Sequence, residues 1–218
     1  MTALVRYRLT TLLLSQRYLA PLLLFAALVT VLTSNDTGPL TAAHAASGLA
    51  MLLAATWLTM ALAGLDDPAH RAVLTAATGG HRRLTTGTVL AALAACLPLT
   101  GLGLLLPLLV GDHSPTAADL LLGVEVQLTC ACTGAAVGLL TARPVVRRQG
   151  HGLLLALALL LVLTLGKGLP PVNLLLTRLS GHHRSTELVG STALLLALAA
   201  ALLGTAAVVG HAFAVRRD

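Results

Sequence analysis

Apolar residues do not alternate along this chain; they fall in long runs at about 19–33, 42–64, 86–110, 118–141, 152–171 and 188–210. Each run is at or near the roughly 17–25 residues that an α-helix needs to cross a bilayer, so the pattern predicts six membrane-spanning helices. The first run is short, and its Pro21 falls in the opening turn, where a missing amide hydrogen costs little. A preceding helix is therefore expected to bend into the span there. Residues 1–17 are too polar to cross, with Arg6, Arg8, Thr10, Thr11, Ser15, Gln16 and Arg17 among them. On a helical wheel Val5, Leu9, Leu12 and Leu13 share a stripe and Arg6, Thr10 and Arg17 fall elsewhere, as in a helix lying in the membrane interface. Gln16 intrudes on that stripe, and a basic leader that only sets orientation is the competing reading.

Composition strengthens the membrane reading. The chain is 56% hydrophobic and 10% charged, against about 25% charged in soluble domains, and its mean hydropathy is +0.89. An all-α integral membrane protein follows, with residues 1–218 as a single transmembrane domain. The net charge of +6 raises nucleic acid as a partner, but the basic residues sit at the ends of apolar runs. With six spans, Arg6, Arg8, Arg17, Arg71, Arg82, Arg83, Arg143, Arg147, Arg148, Arg216 and Arg217 share one side, eleven against three (Lys167, Arg178, Arg184). Such asymmetry is topological, so both termini are expected in the cytoplasm and no nucleic acid is implied. The leading apolar run has no small-residue cleavage site, so it is expected to be retained.

The connectors differ. "SNDTGPLT" and "GDHSPTAAD" are short and turn-rich, whereas "PPVNLLLTRLSGHHRSTE" is longer and partly apolar, with 173–179 able to form a short re-entrant or interfacial helix. Ser185 or Thr186 would cap the last span, with Glu187 in its first turn. The third run holds Pro98, Gly101, Gly103 and Pro107, which suits either a bend or close helix packing. No internal repeat is visible.

One polar connector stands out. "DDPAHRAVLTAATGG" offers Asp66 or Asp67 as N-cap, Pro68 at the first helical position, a helix-tolerant body and Gly79–Gly80 as a left-handed stop. A helix of two to three turns is predicted. One so short is marginal alone in water, so packing or a partner must hold it.

This layout resembles the permease subunit of type-2 ATP-binding-cassette (ABC) exporters. The likeness is most specific in "RYRLTTLLLSQRYLAPLLLF" and "GLDDPAHRAVLTAATGGHRR", which are similar to the connecting helix and coupling-helix loop of small bacterial permeases. The resemblance implies a bacterial plasma-membrane exporter moving a small amphiphilic substrate, such as a drug, antibiotic, peptide or lipid. It implies that Asp66, Asp67, His70, Arg71, Val73, Leu74, Ala77 and Gly79 form the segment that couples to a cytoplasmic ABC ATPase. ATP and magnesium would be bound by that partner and not by this chain. Two copies, or one copy with a related permease, would assemble in the lipid bilayer. A Walker A loop is absent here: Gly166–Lys167 is followed by Gly168 and lacks the earlier glycine.

Within the apolar runs, Glu125, Gln127 and Lys167 are the costly residues and hence candidates for a substrate pathway. Glu125 and Lys167 could instead pair with each other, and Lys167 could simply snorkel to the interface. His44 suits an interfacial anchor, and His182 with His183 a solvated loop. Cys96, Cys130 and Cys132 have neither disulfide nor metal spacing and read as small core residues. There is no catalytic elbow, zinc-binding pair or aspartate cluster, so the chain is not expected to be an enzyme. A non-transport immunity, scaffold or sensor subunit, or an ion-coupled transporter using Glu125, Lys167 and His44, are the alternatives.

Overall fold

A computed structural model describes residues 1–34, 39–66, 68–110, 115–142, 149–181 and 185–215. Those residues form α-helices: α1 (Thr2–Leu14), α2 (Leu19–Thr33), α3 (Leu40–Ala63), α4 (Pro68–Thr78), α5 (His81–Val110), α6 (Ala117–Thr141), α7 (Gln149–Leu165), α8 (Val172–Leu179) and α9 (Ser185–Val215). No strand occurs among the described residues. Four helices, α3, α5, α6 and α9, are long and apolar enough to cross a membrane, or five spans if the bent pair α1–α2 counts as one. The chain is an all-helical membrane-embedded protein. Among the described residues six full-length crossings are not seen: α2 has 15 residues and α7 has 17, about 22 and 25 Å long against a hydrocarbon core of about 30 Å.

Several boundaries move from where the hydropathy put them. The run 86–110 is extended backward into His81, Arg82 and Arg83, which become the first turn of α5, because the helix restarts directly after Gly80. The run 152–171 ends early, at Leu165, where Gly166 and Gly168 open a turn with Gly168 at φ +74°. The corner between α1 and α2, an angle of 79°, lies at residues 15–18 and not at Pro21. Gln16 adopts φ +56°, which turns the chain at that corner, whereas Pro21 sits inside the first turn of α2, where it continues the helix. Pro98 and Pro107 are both accommodated within α5.

At the heart of the bundle α3 and α6 run parallel, face to face. Their seam is built from small residues, as lipid offers no hydrophobic drive and close packing must supply the attraction. A Cβ at Gly134 would lie 2.5 Å from the Leu52 carbonyl oxygen, and one at Gly138 would lie 2.7 Å from that of Thr56. Backbone therefore meets backbone, and only glycine permits it. Thr56, Thr59, Thr129, Thr133 and Thr141 return their hydroxyl protons to carbonyls of their own helices, so these buried polar groups need no partner across the seam. α9 packs along α6 in the same direction: Ser185 donates to Asp119, and one helical stretch further on Thr192 donates to Glu125. α6 itself starts with a capping box, in which the Thr116 hydroxyl accepts from the Asp119 amide at 3.3 Å and the Asp119 carboxylate accepts from the Thr116 amide at 2.9 Å.

The starts of α6 and α9 thus share one end of the molecule, which α8 covers with Val172, Leu175 and Leu179 buried. At the opposite, basic end, α1 and α4 meet the last turns of α3, α6 and α9 and the first turns of α5.

Candidate functional site

The basic end is assembled around one side chain. Arg8 projects from α1 into the bundle, where it is 2% exposed. Its Nη2 forms an ion pair of 2.6 Å with Asp66, in the corner after α3, and its Nη1 donates to the Leu62 carbonyl at 3.4 Å. Leu12, one helical turn further along α1, is buried beside it, and Val5 and Leu9 pack against the same core. Three of the four predicted stripe residues therefore face inward, whereas Leu13 is exposed. Two further contacts tie α1 to the same corner. The Tyr7 hydroxyl and His70 Nε2 are 2.9 Å apart with their rings stacked, and Arg17 donates to the Gly64 carbonyl at 3.2 Å.

This clamp fixes α4. Asp66 commits its carboxylate to Arg8, and Asp67, the other capping candidate, lies outside the described residues. The far end of α4 closes as a Schellman motif: the Gly80 amide donates to Thr75 O at 2.9 Å and the Gly79 amide to Ala76 O at 3.4 Å, with Gly79 at φ +77° and Gly80 at φ +126°. Arg83 adds a donor to the last helical carbonyl, Thr78 O, at 3.4 Å. Between these ends the helix has two faces. Arg71, Leu74, Thr75 and Thr78, spaced i, i+3, i+4 and i+7, are half-buried against the bundle. Ala69, Ala72, Val73, Ala76 and Ala77 are exposed on the other side, with His70 at their edge and Val73 at 65% exposure. Of the coupling candidates read from sequence, Val73 and Ala77 thus point outward, Leu74 and Arg71 inward, and Asp66 is internal.

The intramembrane candidates behave differently. Glu125 is buried between α6 and α9, where Thr192 donates to its Oε2. Gln127 is fully buried between α6 and α3, donating from Nε2 to the Ser47 hydroxyl at 2.9 Å, with Gly103 of α5 packed against its amide. His44, placed by the sequence near a span end, is 1% exposed against Gly123 of α6. Lys167 is exposed in the turn after α7, and among the described residues no ion pair joins it to Glu125. Glu125 and Gln127 therefore join helices within one copy of the chain. His182, His183 and Arg184 lie outside the described residues.

Sequence reading missed Arg8 as anything but a topological charge, and Thr192 and Ser47 altogether. Arg8 carried one signal: it falls on the wheel next to Leu12, just off the edge of the apolar stripe. Thr192 and Ser47 carried none, since short hydroxyl side chains are common in membrane helices for purely local reasons. No group of three or more metal-ligating side chains occurs among the described residues. Compared with protein-family models, curated proteins and solved structures, the chain matches none of them.

Proposed function

We propose that the chain is the transmembrane permease subunit of an ABC exporter, working as a pair in the plasma membrane with two copies of a separate cytoplasmic ATPase. The observation that carries this reading is α4: a helix closed at its far end by Gly79–Gly80 that shows an apolar face outward while Arg8–Asp66 and Tyr7–His70 bind its root to α1. A helix held this way transmits displacement. When the ATPase pair binds ATP with magnesium and closes, force on the Val73 face passes through Arg71 and Leu74 into α5. Through Asp66 and His70 it also reaches α1 and the end of α3. The 79° corner then lets α1 pull on α2 from the plane of the membrane.

In this reading the chain crosses six times, with α2 and α7 short enough to thin the bilayer locally, and the basic end faces the cytoplasm. The substrate is a small amphiphile. Because Glu125 and Gln127 are closed within the bundle, its route runs along the faces where two copies meet.

The test is co-purification. A tagged chain taken from its native membrane brings down an ATPase, and Val73→Asp loses both that ATPase and ATP-dependent transport while the helices stay inserted. If the wild-type chain captures no ATPase, or Val73→Asp captures as much as wild type, the proposal fails and a non-transport subunit takes its place. Transport that persists without ATP but collapses with the ion gradient would instead assign an ion-coupled carrier.

A further inference from the structure

A cavity of about 40 Å³ lies at the basic end, where α1, α3, α4, α5, α6 and α9 converge. That is about three times the space one water requires, on the order of a phosphate or carboxylate group. Arg8, Asp66, Arg71, Thr85, Thr88 and Gly210 are among the residues lining it. Arg8 leaves its donor set incomplete there: Nη2 and Nη1 are engaged, but Nε is buried without a hydrogen-bond partner. An unanswered charged donor at that depth is costly, so an acceptor belongs beside it. Around the cavity, Arg6, Arg17, Arg82 and Arg83 are exposed at the same end of the molecule, and their summed field attracts negative charge. The site also sits where the apolar stretches of α5, α6 and α9 give way to polar sequence, the depth at which lipid phosphates lie.

We propose that this cavity is an oxyanion site of the phosphate class, in which Arg8 Nε–H and the Thr85 hydroxyl donate to phosphate oxygens, while Thr88, whose hydroxyl donates to the Leu84 carbonyl at 3.0 Å, forms part of the wall. The phosphate comes from an anionic lipid headgroup or from free phosphate. Asp66 holds the guanidinium in place and thereby aims its remaining donor. The site is independent of the exporter reading, since it needs no ATPase.

The experiment uses the full chain in maltoside micelles and three probes: dioctanoyl phosphatidic acid, inorganic phosphate and the phosphate-free dioctanoylglycerol, each followed by calorimetric titration. Phosphatidic acid or inorganic phosphate binds, and dioctanoylglycerol does not. Competition between the two phosphates marks one shared site; binding of the lipid alone assigns the headgroup, and of the ion alone assigns free phosphate. Arg8→Lys removes the Nε donor and weakens binding at least about tenfold, the worth of one charge-assisted hydrogen bond. Should that variant fail to fold, Thr85→Val serves: it removes the donating hydroxyl at nearly constant shape and leaves Arg8–Asp66 intact. It weakens phosphate binding several-fold. The proposal is overturned if neither phosphate binds wild type, if dioctanoylglycerol binds as tightly, or if a folded Arg8→Lys or Thr85→Val keeps wild-type affinity.

Discussion

Removing Asp66 tests whether Arg8 is a true interior cation or a solvated one. The Arg8 and Asp66 side chains are 3% and 6% exposed, and their atoms approach to 2.6 Å. At that burial, deleting one partner leaves the other charge without compensation, which costs about 3–5 kcal/mol. An exposed pair of the same geometry contributes only about 0.2–1 kcal/mol. The remaining ties of α1 to this corner, Tyr7–His70 and Arg17–Gly64, are exposed and cannot make up the difference. Asp66→Leu and Arg8→Met should therefore each lower the unfolding midpoint in micelles by roughly 6–20 °C, taking about 2–4 °C per kcal/mol for a chain of this size. The double variant, which removes both charges and restores apolar packing, should recover most of that loss. A cycle of the four proteins isolates the coupling term. If each single variant costs under about 1 kcal/mol, or if the double variant loses the sum of the singles, the pair is solvated and the account of α1 as a clamp on α4 is refuted.

Other expectations are narrower. Gly134→Leu forces the side chain against the Leu52 carbonyl, where a Cβ alone would stand at 2.5 Å, so α3 and α6 must separate. A loss of about 1–3 kcal/mol or more is expected, read as earlier thermal unfolding. Thr192→Val leaves Glu125 Oε2 buried without its donor and should cost about 1–3 kcal/mol, whereas Glu125→Gln keeps an acceptor for Thr192 and should be close to neutral; a Thr192→Val protein that melts like wild type would show that the bond contributes nothing. Gly79→Ala places a Cβ at φ +77° and should cost about 1–2 kcal/mol, measured in the same melts.

Much of the helical order was legible because it depends on local pattern. The apolar runs announced α3, α5, α6 and α9, while Pro68 and Gly79–Gly80 announced both ends of α4 through chemistry that acts within a few residues. The polar faces were less legible. Nothing in residues 68–78 alone says that Leu74 turns in and Val73 out, because both belong to the same apolar stretch and the choice depends on where α5 lies. The corner at Gln16 was hidden for a related reason: a positive φ at a glutamine is imposed by what the two flanking helices pack against.

The sequence by itself determined that this chain lives in a membrane as helices, since burying a continuous apolar run with its backbone satisfied leaves few other outcomes in lipid. It also determined where charge collects, because arginines at run ends are read by position alone. Tertiary structure decided which charges matter. Arg8 finds Asp66, Gln127 finds Ser47, Glu125 finds Thr192, and Gly134 admits the backbone of Leu52. Each of these pairs joins helices far apart in the chain. Periodicity says that a face exists; only the packing of one face on another says what it meets.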